Sequence, residues 1–265
     1  MKAAEAFGVS ARWERIGGGL SGADVFAGSL AGVRKFALKA WPSGTSSETI
    51  DRVHAWMIAA APTGLVPHLL RAAGRTHIHF DGRAWECADW VPGEPLLLVQ
   101  PTPARLHAAC EALRKLHAAW AEIAPQSAAF PGVARRLELL ARGGGFVEEP
   151  LRQAAMRGLQ PWAGQVVPVQ PCLCDVHAGH VLFAGERVAG VIDYGAMKLD
   201  HPAVDFARLY GDVGEPPAEE LVRALAFAGT VGALVHWAMH GHPPPGRVAK
   251  LRDNLRRMTL GGQRS

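Results

Sequence analysis

Two stretches carry most of the chemistry: Cys172-Leu-Cys-Asp175-Val-His177-Ala-Gly-His180-Val-Leu-Phe183, then Arg187-Val-Ala-Gly-Val-Ile-Asp193-Tyr-Gly195. Asp200-His-Pro-Ala-Val-Asp205-Phe-Ala207 follows closely. Asp175 comes just after a short extended run, and Asp193 ends the apolar run from Val188 to Ile192, so both aspartates fall in loops beside strands. A hairpin between Phe183 and Val188, turning at Ala184-Gly185-Glu186, brings the two loops to one end. Phosphoryl transfer needs two such carboxylates, one to accept a hydroxyl proton and one to hold the metal ion that bridges nucleotide phosphates. Asp175 suits the first role and Asp193 the second. A lone aspartate in such a place usually only caps a turn. Two of them at this spacing point to chemistry.

Working back toward the N-terminus, Trp13 to Trp41 reads as strands around the glycine-rich turn Gly17-Gly-Gly-Leu-Ser-Gly22, with Asp24-Val-Phe-Ala and then Lys35-Phe-Ala-Leu-Lys39-Ala-Trp. Such a turn can set backbone N–H groups against phosphates, though a glycine turn by itself is more often a plain hairpin. Lys39 lies among apolar neighbours and is one of only six lysines among 28 basic residues. An edge-strand charge is the bland alternative. Pro42 ends the strand, and Ser47-Glu48 can cap a helix through Ile50, Val53, Met57 and Ile58. The segments Leu69 to Ala73, Thr76 to Phe80 and Arg83 to Trp90 then complete an expected five-stranded sheet, with Asp81-Gly82 as a hairpin turn.

At Val91-Pro-Gly-Glu-Pro the apolar period changes from two to 3.6, which places the expected boundary near residues 91 to 94. From Pro103 on, Leu106, Cys110, Leu113, Leu116 and His117 recur at helical spacing. Gly143-Gly-Gly and Pro243-Pro-Pro are breaks between helices, and Leu221 to Met239 reads as a buried helix pair, not a membrane span. The 265 residues are 49% hydrophobic and 20% charged, which suits a globular chain with a sizeable core. The net charge of +4 is scattered without a basic run, so no nucleic-acid patch is indicated. Four cysteines without a C-x-x-C pair, and no secretory leader, lead to an expected cytoplasmic location.

The segment from Pro171 to Leu209 resembles the catalytic and metal loops of the aminoglycoside phosphotransferase group, whose pattern is H-G-D-x-H-x-x-N followed by a strand and I-D-x-G. Asp175, His177, Asp193 and Gly195 match it, and Asp205 matches the acidic residue opening the next helix. The resemblance implies an α+β, protein-kinase-like two-lobed fold. Residues 1–91 would form a nucleotide-binding lobe of antiparallel sheet with one helix. Residues 92–265 would form a mainly helical lobe for catalysis and the acceptor. It implies ATP and a divalent metal, Mg²⁺ or Mn²⁺, as cofactors, and a small-molecule alcohol (aminoglycoside, sugar or amino alcohol) as acceptor, with no nucleic-acid or membrane partner. By the same resemblance Asp175 is the base, Gly18, Gly19, Ser21, Gly22 and Lys39 meet the phosphates, and backbone groups near Glu86 and Ala88 meet the adenine edge. Leu113-Arg-Lys-Leu-His117 resembles the family's L-x-x-L-H helix, in which the histidine packs.

The pattern also breaks. His180 stands where the family has its second metal-binding Asn, so the expected metal pair is Asp193 and His180. Leu173 and Cys174 replace the usual His-Gly. The helix after Lys39 has His54 and Ala55 near the place where a Glu is usual. A nucleotide-binding pseudokinase is therefore an alternative. So is a structural zinc site at Cys172, Cys174, His177 and His180, although C-x-C followed at once by H-x-x-H is tighter than the usual zinc spacing.

Overall fold

The computed structural model describes residues 1–18, 22–99, 101–123, 126–241 and 243–261. In chain order its elements begin with α1 (Lys2–Glu5), β1 (Arg12–Gly18), β2 (Asp24–Leu30), β3 (Val33–Ala40), α2 (Ser47–Ala60), β4 (Ile78–Phe80), β5 (Arg83–Asp89) and β6 (Glu94–Pro95). They continue with α3 (Pro103–Trp120), β7 (Gln126–Ala129), α4 (Pro131–Arg142), α5 (Glu149–Leu159), β8 (Val166–Cys172), β9 (Val181–Ala184) and β10 (Arg187–Val191). The last are β11 (Lys198–Asp200), α6 (Ala203–Val213), α7 (Glu220–His240) and α8 (Arg247–Gly261). The chain divides into two compact units, Met1–Glu94 with Leu182–Gly195, and Pro95–Val181 with Ala196–Ser265.

The first unit is built on a five-stranded antiparallel sheet in the order β1-β2-β3-β5-β4. Asp81 and Gly82 both take positive φ, 50° and 71°, as the right-twisting two-residue hairpin between β4 and β5 requires. The expected strand from Leu69 to Ala73 does not form. Only Leu69 bridges to Ala88, because Ala72 and Arg75 close a tight turn over Ala73 and Gly74. The helix after Lys39 is capped one residue before the expected position. Ser46 Oγ accepts from Thr49 N at 3.3 Å, and the helix turns Ile50, Val53, His54, Trp56, Met57 and Ala60 inward. Leu38, Cys87, Phe7 and Val9 form part of this unit's core.

The hairpin of β9 and β10 turns at Gly185, φ 65°, and its segment belongs with the first unit. Two glycines let it approach. A Cβ at Gly93 would lie 2.7 Å from Phe183 O, and one at Gly190 would lie 2.8 Å from Val91 Cγ1. The approach is fastened by Val191 N donating to Leu65 O at 2.8 Å. Asp193 is thereby delivered to the first unit, although 87 residues separate Glu94 from Leu182.

In the second unit β11, β8 and β7 make a three-stranded sheet beside six helices. The stretch read as a helix pair is one helix, α7, of 21 residues. Gly229 and Gly232 do not break it. They mark its close approach to α4, where a Cβ at Gly232 would stand 3.2 Å from Leu139 Cδ2. α7 is long and apolar enough by composition to cross a membrane, but half of its most apolar window is buried inside the protein, against α4, α5, α6 and α8. Leu225, Val231 and Val235 are wholly buried in that core.

Candidate active site

In the first unit the strand lysine meets the loop aspartate: Lys39 Nζ donates to Asp193 Oδ1 at 3.0 Å. Asp193 takes φ 63°, a left-handed conformation that aspartate tolerates better than most side chains. Gly195 explains the glycine two residues later, since a Cβ there would stand 3.0 Å from Lys39 Nζ. Lys39 is 15% exposed and Asp193 is 50% exposed, so the pair presents its carboxylate to solvent. Burial works against the charge of Lys39, but Glu86 and then Asp193 outweigh it and hold the ammonium above its ordinary pKa range.

Glu86 lies opposite Lys39 in the register of β3 and β5. Its carboxylate accepts from Trp41 Nε1 at 2.6 Å and from His54 Nε2 at 2.7 Å, while His54 Nδ1 lies 2.7 Å from Thr76 Oγ1. Burial opposes ionisation, yet the His54 hydrogen bond, Lys39 and Trp41 keep Glu86 below its usual range. The helix after Lys39 has His54 and Ala55 where a Glu is usual, its only Glu being Glu48 in the first turn, and the carboxylate facing the lysine comes from β5 instead, held by His54 on the helix. Glu86 and Ala88, whose backbone groups are expected near the adenine edge, pair with Lys39 and Ala37 in the register of β3 and β5, and the Glu86 carboxylate acts on the lysine through its charge.

Of the glycine-rich turn, Gly19 and Ser21 lie outside the described residues. Gly18 pairs with Asp24 at the end of β1, and Gly22, φ 81°, offers its carbonyl to Arg83 Nη2 at 2.8 Å. Arg83 also binds Asp24 at 2.5 Å and the carbonyls of Ala40 and Trp41, which ties the base of the turn to the end of the Lys39 strand. The sequence gives no sign of this clamp, because its donors come from a strand 59 residues beyond Asp24.

In the second unit one face of α6 pins the loop after β8 at three points. Asp205, wholly buried, accepts from Leu173 N at 2.8 Å, Cys174 N at 2.7 Å and His117 Nε2 at 2.9 Å. Arg208 Nε donates to Asp175 Oδ1 at 2.9 Å. Asp212 accepts from Ala178 N at 3.2 Å and from Arg247 and Lys250 of α8 at 2.9 and 3.1 Å. Positions 205, 208 and 212 are i, i+3 and i+7, one stripe of a helix. Cys174 takes φ 63° where the resembled family has Gly, which shows why a glycine is usual there. His180 Nδ1 lies 3.1 Å from the Asp175 carbonyl, and its ring meets that of His177 at a tilt of 34° with centroids 3.6 Å apart. Burial, then His180, depress His177 to about 4.

Asp205 is the loop's main anchor, so Asp205→Asn sets an amide N–H against backbone donors. It is expected to lower unfolding free energy by about 3 kcal/mol. Urea denaturation checks this, and a loss below about 1 kcal/mol would mean that the loop is held by other contacts.

The quartet of the zinc alternative does not gather. Among the described residues the one cluster with metal-ligand spacing is His117, Cys172 and Asp205, all buried. Cys172 Sγ donates to Asp200 O at 3.2 Å, while burial pushes its thiol far up and that of Cys174 up to about 12.

A sheet unit with a lysine–aspartate pair, joined to a helical unit holding an aspartate on a pinned loop, defines a protein of the α+β, two-lobed kinase-like fold. Comparison with known proteins agrees. The chain belongs to the phosphotransferase enzyme family, whose sequence model matches residues 12–240. It resembles a thermostable mutant of aminoglycoside phosphotransferase APH(4)-Ia, solved with AMP-PNP and hygromycin B, at 15% identity and TM-score 0.67, over 98% of this chain and 97% of that one. It also resembles spectinomycin phosphotransferase APH(9)-Ia, solved with ADP and spectinomycin, at 12% identity and TM-score 0.67, over 97% and 95%. A choline/ethanolamine kinase family protein from Mesorhizobium loti matches at 18% identity and TM-score 0.57, over 98% and 94%. No curated protein matches the sequence.

Proposed function

We propose that this protein transfers the γ-phosphoryl group of ATP to the hydroxyl of a small molecule. The observation that carries the reading is the Lys39–Asp193 pair at 3.0 Å beside Gly195, in a chain of the phosphotransferase family. Lys39 binds the nucleotide phosphates, kept charged by Glu86 and Asp193. The first unit is then the nucleotide side and the second the acceptor side. Asp175 takes the hydroxyl proton as the acceptor oxygen bonds to the γ-phosphorus, and the bond from that phosphorus to its bridging oxygen breaks, releasing ADP with the electron pair.

By the family pattern Asp193 and His180 would hold a divalent ion, which would supply charge neutralisation on the phosphates. Taken singly, Asp193 presents a half-exposed carboxylate, and His180 Nδ1 donates to the Asp175 carbonyl, which can only accept. With Lys39, Asp175 and Asp193 all present in a family of phosphotransferases, transfer is favoured over the pseudokinase alternative. ADP release from ATP with a panel of alcohols and either Mg²⁺ or Mn²⁺ tests the function, and no release with any alcohol would overturn it.

Imidazole nitrogen is a softer ligand than an amide oxygen, so His180 favours Mn²⁺ over Mg²⁺. His180→Asn is expected to move the Mg²⁺ to Mn²⁺ activity ratio toward Mg²⁺ by about tenfold, roughly 1.4 kcal/mol of preference. An identical ratio in wild type and variant would show that His180 only packs against His177.

A further inference from the structure

We propose that the acceptor is an anionic alcohol, one carrying a carboxylate or a phosphate, and that Arg208 is the residue that recognises its charge. This rests on the assignment of Asp175 as the base.

The charge of the chain is not evenly shared. The first unit holds 11 Lys and Arg against 11 Asp and Glu, whereas the second holds 17 against 13, so the whole net charge of +4 lies in the unit that carries Asp175. Close to the base the cations are divided: Arg208 pairs with Asp175, while Arg247 and Lys250 pair with Asp212. Asp212 is 2% exposed and consumed by Arg247, Lys250 and the Ala178 N–H. It holds the loop and offers nothing to a cationic acceptor.

Arg208 is placed differently. Its side chain is 25% exposed and its Nε is bonded to Asp175, which is 54% exposed. The guanidinium fork carries five N–H donors in one plane, and the bond to Asp175 uses one of them. Its Nη1 stands 3.9 Å from Asp212, beyond hydrogen-bond reach. A planar donor fork beside a proton acceptor matches a molecule whose carboxylate or phosphate sits a few bonds from its hydroxyl, since bidentate capture of the anion by Arg208 leaves the hydroxyl next to Asp175. A polycationic aminoglycoside or a quaternary ammonium would meet the Arg208 cation there instead, and like charges brought together are disfavoured. During transfer the anion stays on Arg208, the hydroxyl proton passes to Asp175, and the acceptor oxygen forms its bond to the γ-phosphorus as ADP departs.

Isothermal calorimetry without nucleotide, at fixed ionic strength, separates the possibilities. The probes are glycerate for the carboxylate class, glycerol 3-phosphate and inorganic phosphate for the phosphate class, and choline and kanamycin for the cations. At least one anion is expected to bind wild type more tightly than either cation, and Arg208→Gln is expected to weaken that binding at least tenfold. Whichever anion binds names the class. Tighter binding of choline or kanamycin, binding of none of the three anions, or equal anion binding in Arg208→Gln would overturn the proposal. The wild-type preference alone decides the matter if the variant does not fold. ATP binding by the wild type, measured separately with Mg²⁺ or Mn²⁺, reports on the phosphotransferase reading independently of the acceptor's charge.

Discussion

Asp175→Ala is expected to lower transfer to an accepting alcohol by 10² to 10⁴, the range over which a positioned general base contributes. The carboxylate is half-exposed, lies on a loop pinned by Asp205 and Asp212, and carries no structural duty beyond its bond to Arg208. The variant therefore keeps its fold. Its dissociation constant for ATP is expected to stay within about twofold of wild type, because the residues assigned to the phosphates lie in the other unit. A fall in kcat with an unchanged nucleotide affinity is the signature of a group that acts on the acceptor in the transition state. Turnover within threefold of wild type would place the base elsewhere.

The two loop aspartates and the strand lysine were legible in the sequence because each follows or ends an apolar run, a signal that lies within a dozen neighbouring residues. The hairpin at Gly185 and the turn at Asp81-Gly82 were legible for the same reason. What the sequence concealed is set by register and by helix faces. Glu86 was assigned to the adenine edge through its backbone. Only the pairing of Lys39 with Glu86 across β3 and β5 reveals that its side chain faces the lysine, with His54 as its support. Arg208 sits three residues after Asp205, a spacing readable as one helix face, but which loop that face touches depends on how α6 packs. Leu69 to Ala73 alternates well enough for a strand, yet Ala73 and Gly74 at positive φ turn the chain back first. Leu221 to Met239 reads as a helix pair, yet it is one helix, and its Gly229 and Gly232 serve close packing against Arg136 and Leu139 of α4.

Cys174 shows how a departure from the family pattern is accommodated. A left-handed backbone at a residue with a Cβ costs on the order of 1 kcal/mol, and Asp205 opposes that cost by accepting the Cys174 N–H at 2.7 Å. The loop geometry that carries Asp175 is thus fixed by its anchor and not by a permissive glycine.

The central claim, that Lys39 and Asp193 form a nucleotide–metal site, is tested most directly by the melting temperature with and without ATP and a divalent ion, in wild type and Asp193→Asn. A ligand that binds only the folded state at a hundredfold its dissociation constant stabilises it by about 2.7 kcal/mol, or a rise of roughly 5 to 10 °C for a chain of this size. Wild type is expected to show that rise with Mg²⁺ or Mn²⁺ present. Asp193→Asn keeps the shape of the side chain but removes the charge that would hold the ion, so the metal-dependent part of the rise is expected to vanish. No shift at millimolar ATP with either metal, or a metal-dependent shift of the same size in Asp193→Asn, would contradict the account.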